Sequence, residues 1–124
     1  MTVKVVIAII FVVLIFCGIY FFTNLFVDTV ENFITQTSNI ISAPDISAGI
    51  EAFYTFEESF YEAETFVSLF VHDSILEDVR ISMVEIRTSF FNGERDEALL
   101  FTSLLRERLL QLHRSILPSV VNIM

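Results

Sequence analysis

Residues 5–22, VVIAIIFVVLIFCGIYFF, carry no charge. As an α-helix at 1.5 Å rise per residue they span roughly 27 Å, close to the ~30 Å hydrocarbon core of a bilayer. Fourteen of these eighteen residues are Val, Ile, Leu or Phe. At roughly −0.3 to −0.6 kcal/mol each, insertion is favourable by about 4 to 8 kcal/mol, an upper value because the scale applies to the bilayer centre. A buried core helix is the alternative, but few other residues exist to bury it, since the chain has 124 residues. The uncharged run exceeds the roughly 7–15 residues of a signal-peptide core and no A-x-A site follows it, so a retained anchor is predicted. Phe16, where lipoprotein processing wants a small residue, leaves Cys17 as a membrane-buried thiol. As the single cysteine it cannot form an internal disulfide.

Flanking charge predicts orientation. Lys4 precedes the run, and no Lys or Arg follows it until Arg80, while Asp28 and Glu31 come early. The positive-inside rule then places the N-terminus in the cytoplasm and residues 23–124 outside, as a single-pass protein of the cell membrane. The expected organisation is an anchor over 1–22, a helical extension and linker over 23–44, and an exported helical domain over 45–124.

Beyond the anchor the periodicity is helical throughout. Phe26, Val30, Phe33, Ile34 and Ile41 continue the anchor helix until Ser42-Ala43-Pro44 ends it. Asp45 can cap a second helix running to about Val71, with Ile46, Ile50, Phe53, Phe56, Phe60, Ala63, Val67 and Phe70 in one stripe. A third helix is predicted from Ser74 to Phe91, with Ile75, Val79, Met83, Ile86 and Phe90 in its stripe and Asn92-Gly93 as its end signal. A fourth is predicted from Arg95 to Ile116 on Phe101, Leu105, Leu109, Leu112 and Ile116, stopped by Pro118, with the tail SVVNIM packing back. Short connections make consecutive helices antiparallel neighbours. The predicted fold is all-α: an N-terminal transmembrane helix extended into a small antiparallel bundle of three further helices.

Charge is uneven. Residues 45–78 hold nine acids and no base; residues 79–124 hold five acids and six arginines. Glu51, Glu58, Glu62 and Glu64 are expected on solvated positions where Arg80, Arg87, Arg106 and Arg108 can pair with them. With a net charge of −9, the exported part repels phosphate, so nucleic acid is not an expected partner.

One stretch holds His72, Asp73, Glu77 and Asp78 within seven positions. Ser74-Ile75-Leu76-Glu77 fits the S-x-x-E capping box, and Asp73 and Asp78 place negative charge at the positive end of the helix dipole. These residues are therefore predicted to start a helix and not to ligate a metal, which needs three or four convergent ligands. His113 is expected as a partly buried capping residue near the end of the fourth helix. The sequence contains no nucleotide-binding, hydrolase, zincin or paired-cysteine motif. No enzyme activity, cofactor or metal is expected.

The pieces VHDSILEDVRISMVEI (71–86), FFNGERDEALL (90–100) and VVNIM (120–124) resemble a bacterial domain-of-unknown-function family, the one numbered 4363. This chain carries Phe and Tyr where that family's aromatic helix commonly has tryptophan. The resemblance implies a small membrane-anchored helical protein of endospore-forming Gram-positive bacteria, in an accessory role.

Seven of the eighteen residues from Phe53 to Phe70 are aromatic, more than one buried face needs. The expected function is therefore that of an accessory or interaction subunit of an envelope membrane complex. Residues 5–22 meet the lipid bilayer, and Tyr54, Tyr61 and Phe66 meet another membrane or envelope protein, or a second copy. The alternative is a tethered sensor whose Phe-rich interior opens around a small ligand or lipid.

Overall fold

The computed structural model describes the backbone of residues 2–123 and the side chains of residues 2–115. The described residues form four helices and no strand: α1 (Val3–Ile41), α2 (Ile46–Val67), α3 (Asp73–Phe91) and α4 (Arg95–Ile123). Helix α1 packs against α2 and α4, α4 packs against α3, and α2 meets α3 more thinly. The result is an up-and-down four-helix bundle with α1 as one of its staves.

Helix α1 lives in two environments. Its large apolar side chains from Val3 to Phe22 are all exposed, and only at the upper end does the bundle reach them, where Phe22 meets Phe66. From Phe26 onward the same helix buries Phe26, Val30, Phe33, Thr37 and Ile40. The described residues include one helix long and apolar enough to cross a membrane, and it is this one. No Gly or Pro interrupts it between Ile19 and Ile41. Thr23, Thr29 and Thr35 donate their hydroxyls to the carbonyls of Ile19, Leu25 and Glu31, one turn back, so their polar groups are satisfied within the helix.

The buried positions explain how the staves fit. They fall at 26, 30, 33, 37 and 40 on α1, at 49, 53, 56, 60 and 67 on α2, at 76, 79, 82, 83, 86, 89 and 90 on α3, and at 98, 102, 105 and 109 on α4. Apart from the seven-residue step from Phe60 to Val67 and the two serines beside Met83 and Phe90, the steps are of three and four, the spacing that keeps one seam facing a bundle axis. Phenylalanines fill the centre: the Phe33 ring lies 5.7 Å from Phe56 and 5.9 Å from Phe60, in edge and tilted arrangements. Aromatic pairs at such separations contribute beyond their burial.

Local chemistry sets the turns. Pro44 follows the end of α1, and the Asp45 carboxylate accepts from the Ala48 amide at 2.7 Å, as a helix cap should. Gly49 lies buried where α2 crosses α3, and a Cβ there would stand 3.2 Å from the Phe90 ring. At the end of α3, Gly93 takes φ +72°. The Glu94 amide reaches the Ser89 carbonyl and the Gly93 amide reaches the Phe90 carbonyl, the paired bonds of a Schellman ending.

Three local expectations change. Helix α3 begins at Asp73 with His72 as its N-cap, and no side chain caps it. Ser74 is therefore already inside the helix, and Glu77 bonds Arg80 at 3.2 Å instead of closing a capping box. The α3 stripe is headed by Leu76, 3% exposed, and not by Ile75, 37% exposed. Helix α2 stops at Val67, leaving Phe70 in the following turn. Helix α4 runs past Pro118 to Ile123. Proline's fixed φ is itself helical, so the penalty is one lost bond and local crowding, not a forbidden backbone. The side chains of Ile116 and of the tail SVVNIM lie outside the described residues.

Candidate functional site

Polar rungs tie each pair of neighbouring staves. Gln36 on α1 donates to Ser59 on α2 at 2.9 Å. Arg106 on α4 donates to Ser38 on α1 at 3.0 Å, and Arg108 donates to Ser82 on α3 at 3.0 Å. Arg95 reaches the Ala43 carbonyl at 2.7 Å, clamping the α1–α2 turn. His113 meets Glu31 at 3.0 Å; because α4 continues beyond it, His113 is a mid-helix rung and not a terminal cap. Between α2 and α3 the rungs are ion pairs, Arg80 with Glu64 and Arg87 with Glu57. Of the pairings expected from sequence, only Arg80 with Glu64 forms. Glu57 takes the place of the other glutamates, and two arginines find serines.

The α2–α3 seam carries the most exposed aromatic surface of the bundle's flank. Tyr54 and Tyr61 are 46% and 52% exposed. They stand seven residues apart, two helical turns, so they share a face with Glu57 between them. Arg87 lies opposite Glu57. On α3, Val84 and Phe91 sit three residues before and four after Arg87, on the same face as that arginine. They are 59% and 69% exposed. Tyr54, Tyr61, Val84 and Phe91 thus flank one seam whose middle is closed by Arg87 and Glu57. The hydrogen bond to Glu57 is the main influence on Arg87 and raises its pKa, partly opposed by burial. A cation paired with Glu57 therefore sits on the seam that Tyr54 and Tyr61 flank.

Phe66 does not belong to this surface. It is half-buried on the opposite flank of α2, with its ring 6.4 Å from Phe22 and 5.2 Å from Phe70. Phe70 in turn stacks on Phe26 at 4.7 Å. Phe66 thus joins the bundle to the top of the anchor, while the two tyrosines face outward. Val84 and Phe91 were missed because the α3 stripe accounts for its core without them. The one available signal was their heptad spacing off that stripe.

His72, Asp73, Glu77 and Asp78 are all exposed at the start of α3. Among the described residues no three of His, Cys, Asp or Glu converge as metal ligands would. Cys17 points outward from the uncharged half of α1. The Phe-rich interior that a ligand-sensing bundle would open is closed off, with Phe53, Phe56 and Phe60 almost wholly inaccessible, while an open cleft of about 410 Å³ lies between α3 and α4 beside Val79 and Leu109.

The chain matches no protein-family model, no curated protein and no solved structure.

Proposed function

We propose that this chain is a non-enzymatic, single-span membrane protein that serves as an accessory or interaction subunit of an envelope complex. In this reading α1 crosses the cell membrane with its N-terminus in the cytoplasm, and residues 23–124 stand outside. The resemblance to the family numbered 4363 forms part of the same proposal, since it implies a protein of this kind. The observation that carries the reading is an exposed aromatic face on a bundle whose central phenylalanines are inaccessible. Tyr54, Tyr61, Val84 and Phe91 frame a shallow seam where α2 and α3 pack most thinly. A helix laid along that seam would cover all four side chains and desolvate the Arg87–Glu57 pair. Helix-in-groove docking of this type reads anchors at helical spacing, and tyrosine and arginine are enriched at binding hot spots.

Photo-crosslinking from Tyr54 and Tyr61 in native membranes tests it. The expected result is a discrete polypeptide adduct from both positions, absent from Leu104, an exposed position on α4. Replacing Val84 and Phe91 by Glu should abolish the adduct from both positions while leaving the bundle folded. Unchanged co-purifying proteins and an unchanged oligomeric state in that double variant would sink the proposal.

A further inference from the structure

The turn between α2 and α3 exposes its most apolar residues: Leu69 is 76% and Phe70 39% exposed, with Val71 beside them. Exposed leucine at a turn tip is unusual where polar residues would serve. The turn folds back against the upper end of the uncharged helix. Leu69 and Phe70 line an open groove of about 460 Å³ with Ile15, Gly18, Ile19, Phe22 and Thr23. Four of those five α1 residues belong to the uncharged run itself. Counting from Lys4, ~30 Å of hydrocarbon takes up about 20 helical residues, reaching roughly position 24. The tip therefore lies level with the last turns inside the hydrocarbon layer, not above it.

We propose that Leu69 and Phe70 are immersed in the outer leaflet, a second point of membrane contact beside the span, with lipid acyl chains occupying the groove against Gly18. This rests on the reading that α1 crosses the membrane. Continuity is the argument for lipid as the occupant, because one wall of the groove is the lipid-facing surface of the span. A second observation supports it. Each backbone group left unpaired in hydrocarbon costs several kcal/mol, and the donors of this turn avoid that cost. Here four successive amides are satisfied internally: Ser68 to the Glu64 carbonyl, Leu69 to Phe66, and both Phe70 and Val71 to Val67. The Ser68 hydroxyl is likewise bonded, to the Thr65 carbonyl at 2.6 Å. His72 and Asp73 then mark the polar level at which immersion stops. The ring chain Phe22–Phe66–Phe70–Phe26 fastens the tip to the anchor, so the two contacts act as one rigid foot.

The chain contains no tryptophan, so a single introduced indole reports its own surroundings. The full chain would be reconstituted in phosphatidylcholine vesicles with and without bromine on the acyl chains. Three variants serve: Leu69→Trp at the tip, Leu14→Trp in the span and Leu104→Trp on the flank of α4. The expected result is acyl-bromine quenching of Leu69→Trp comparable to that of Leu14→Trp, with blue-shifted emission from both and neither effect in Leu104→Trp. Quenching of Leu14→Trp alone overturns the immersed tip and leaves the span intact. A blue-shifted but unquenched Leu69→Trp overturns it too, because protein and not lipid would then cover the tip. Absence of quenching in both Leu14→Trp and Leu69→Trp overturns the span and the tip together.

Discussion

Phe33→Ala separates a bundle that includes α1 from a three-helix domain merely attached to it. Phe33 lies on α1, is 3% exposed, and meets Phe56 and Phe60 of α2. Truncating a buried phenylalanine to alanine typically costs about 3 to 5 kcal/mol, the lost transfer free energy plus the cavity left behind. A domain of this size has roughly 5 to 15 kcal/mol of stability in total. The substitution thus removes between a fifth of that stability and all of it. At about 4 to 8 °C per kcal/mol for a domain of 60–100 residues, the midpoint falls by at least about 12 °C. The assay is thermal unfolding of the detergent-solubilised full chain, followed by loss of the helical signal that α2–α4 contribute. Phe21→Ala is the matched control, removing the same atoms from the same helix at a side chain that faces away from the bundle. Its midpoint should stay within about 4 °C of the parent, since surface changes away from special features are usually within ±0.5 kcal/mol. Equal shifts in the two variants would refute the idea that α1 is a stave of the bundle.

Four further substitutions test local points, each followed by chemical or thermal unfolding of the solubilised chain. Gly49→Val should lose about 1 to 3 kcal/mol, because the new side chain drives into the Phe90 ring that a Cβ alone would meet at 3.2 Å; an unchanged midpoint would show that Phe90 moves aside freely. Gly93→Ala should cost about 1 to 2 kcal/mol for placing a Cβ at φ +72°, and a neutral result would mean that α3 does not end there in the left-handed region. Asp45→Ala should lose about 1 kcal/mol with its cap, whereas Ser74→Ala, at a helical position without a capping bond, should change stability by less than about 0.5 kcal/mol; the reverse order would restore the capping box.

How far the fold could be foreseen depends on which signal each residue carries. The stripes of α1, α2 and α4 were legible because seams of three- and four-residue steps survive small errors in helix ends. Asp45 and Asn92-Gly93 were legible because caps and left-handed endings use few residue types. The start of α3 was not, because S-x-x-E and H-D-S both fit a helix start and differ by two residues; nor was the head of its stripe, because Ile75 and Leu76 stand four and three residues before Val79 and helical spacing admits either. Pro118 misled for a related reason: proline announces a break, but a long helix can absorb one missing bond. At the candidate surface, composition revealed an excess of aromatic residues on α2 but could not divide them. Tyr54 and Tyr61 face out while Phe66 turns toward Phe22, a partition that depends on where α1 sits. Val84 and Phe91 gain meaning only once Arg87 is seen opposite Glu57.

The uninterrupted α1 has a consequence for any partner of the α2–α3 face. A helix with no glycine or proline between Ile19 and Ile41 offers no local hinge at the point where the bundle leaves the uncharged segment. The Phe22–Phe66 and Phe26–Phe70 contacts brace the same junction from the side. Tyr61 follows Phe60, which meets Phe33, so Tyr61 sits about eleven residues along α1 from Phe22, roughly 16 Å at 1.5 Å per residue. Tyr54 lies seven residues further along α2, roughly 10 Å more. If α1 spans the membrane, these tyrosines are carried at a fixed height and a fixed rotation about the helix axis. A partner anchored in the same bilayer would meet them already oriented, and so lose less rotational freedom on binding than a partner arriving from solution. Inserting Gly-Pro after Asn24 is the direct check: crosslinking from Tyr54 and Tyr61 should fall even though neither tyrosine has changed. Undiminished crosslinking in that variant would mean that the rigid junction plays no part in recognition.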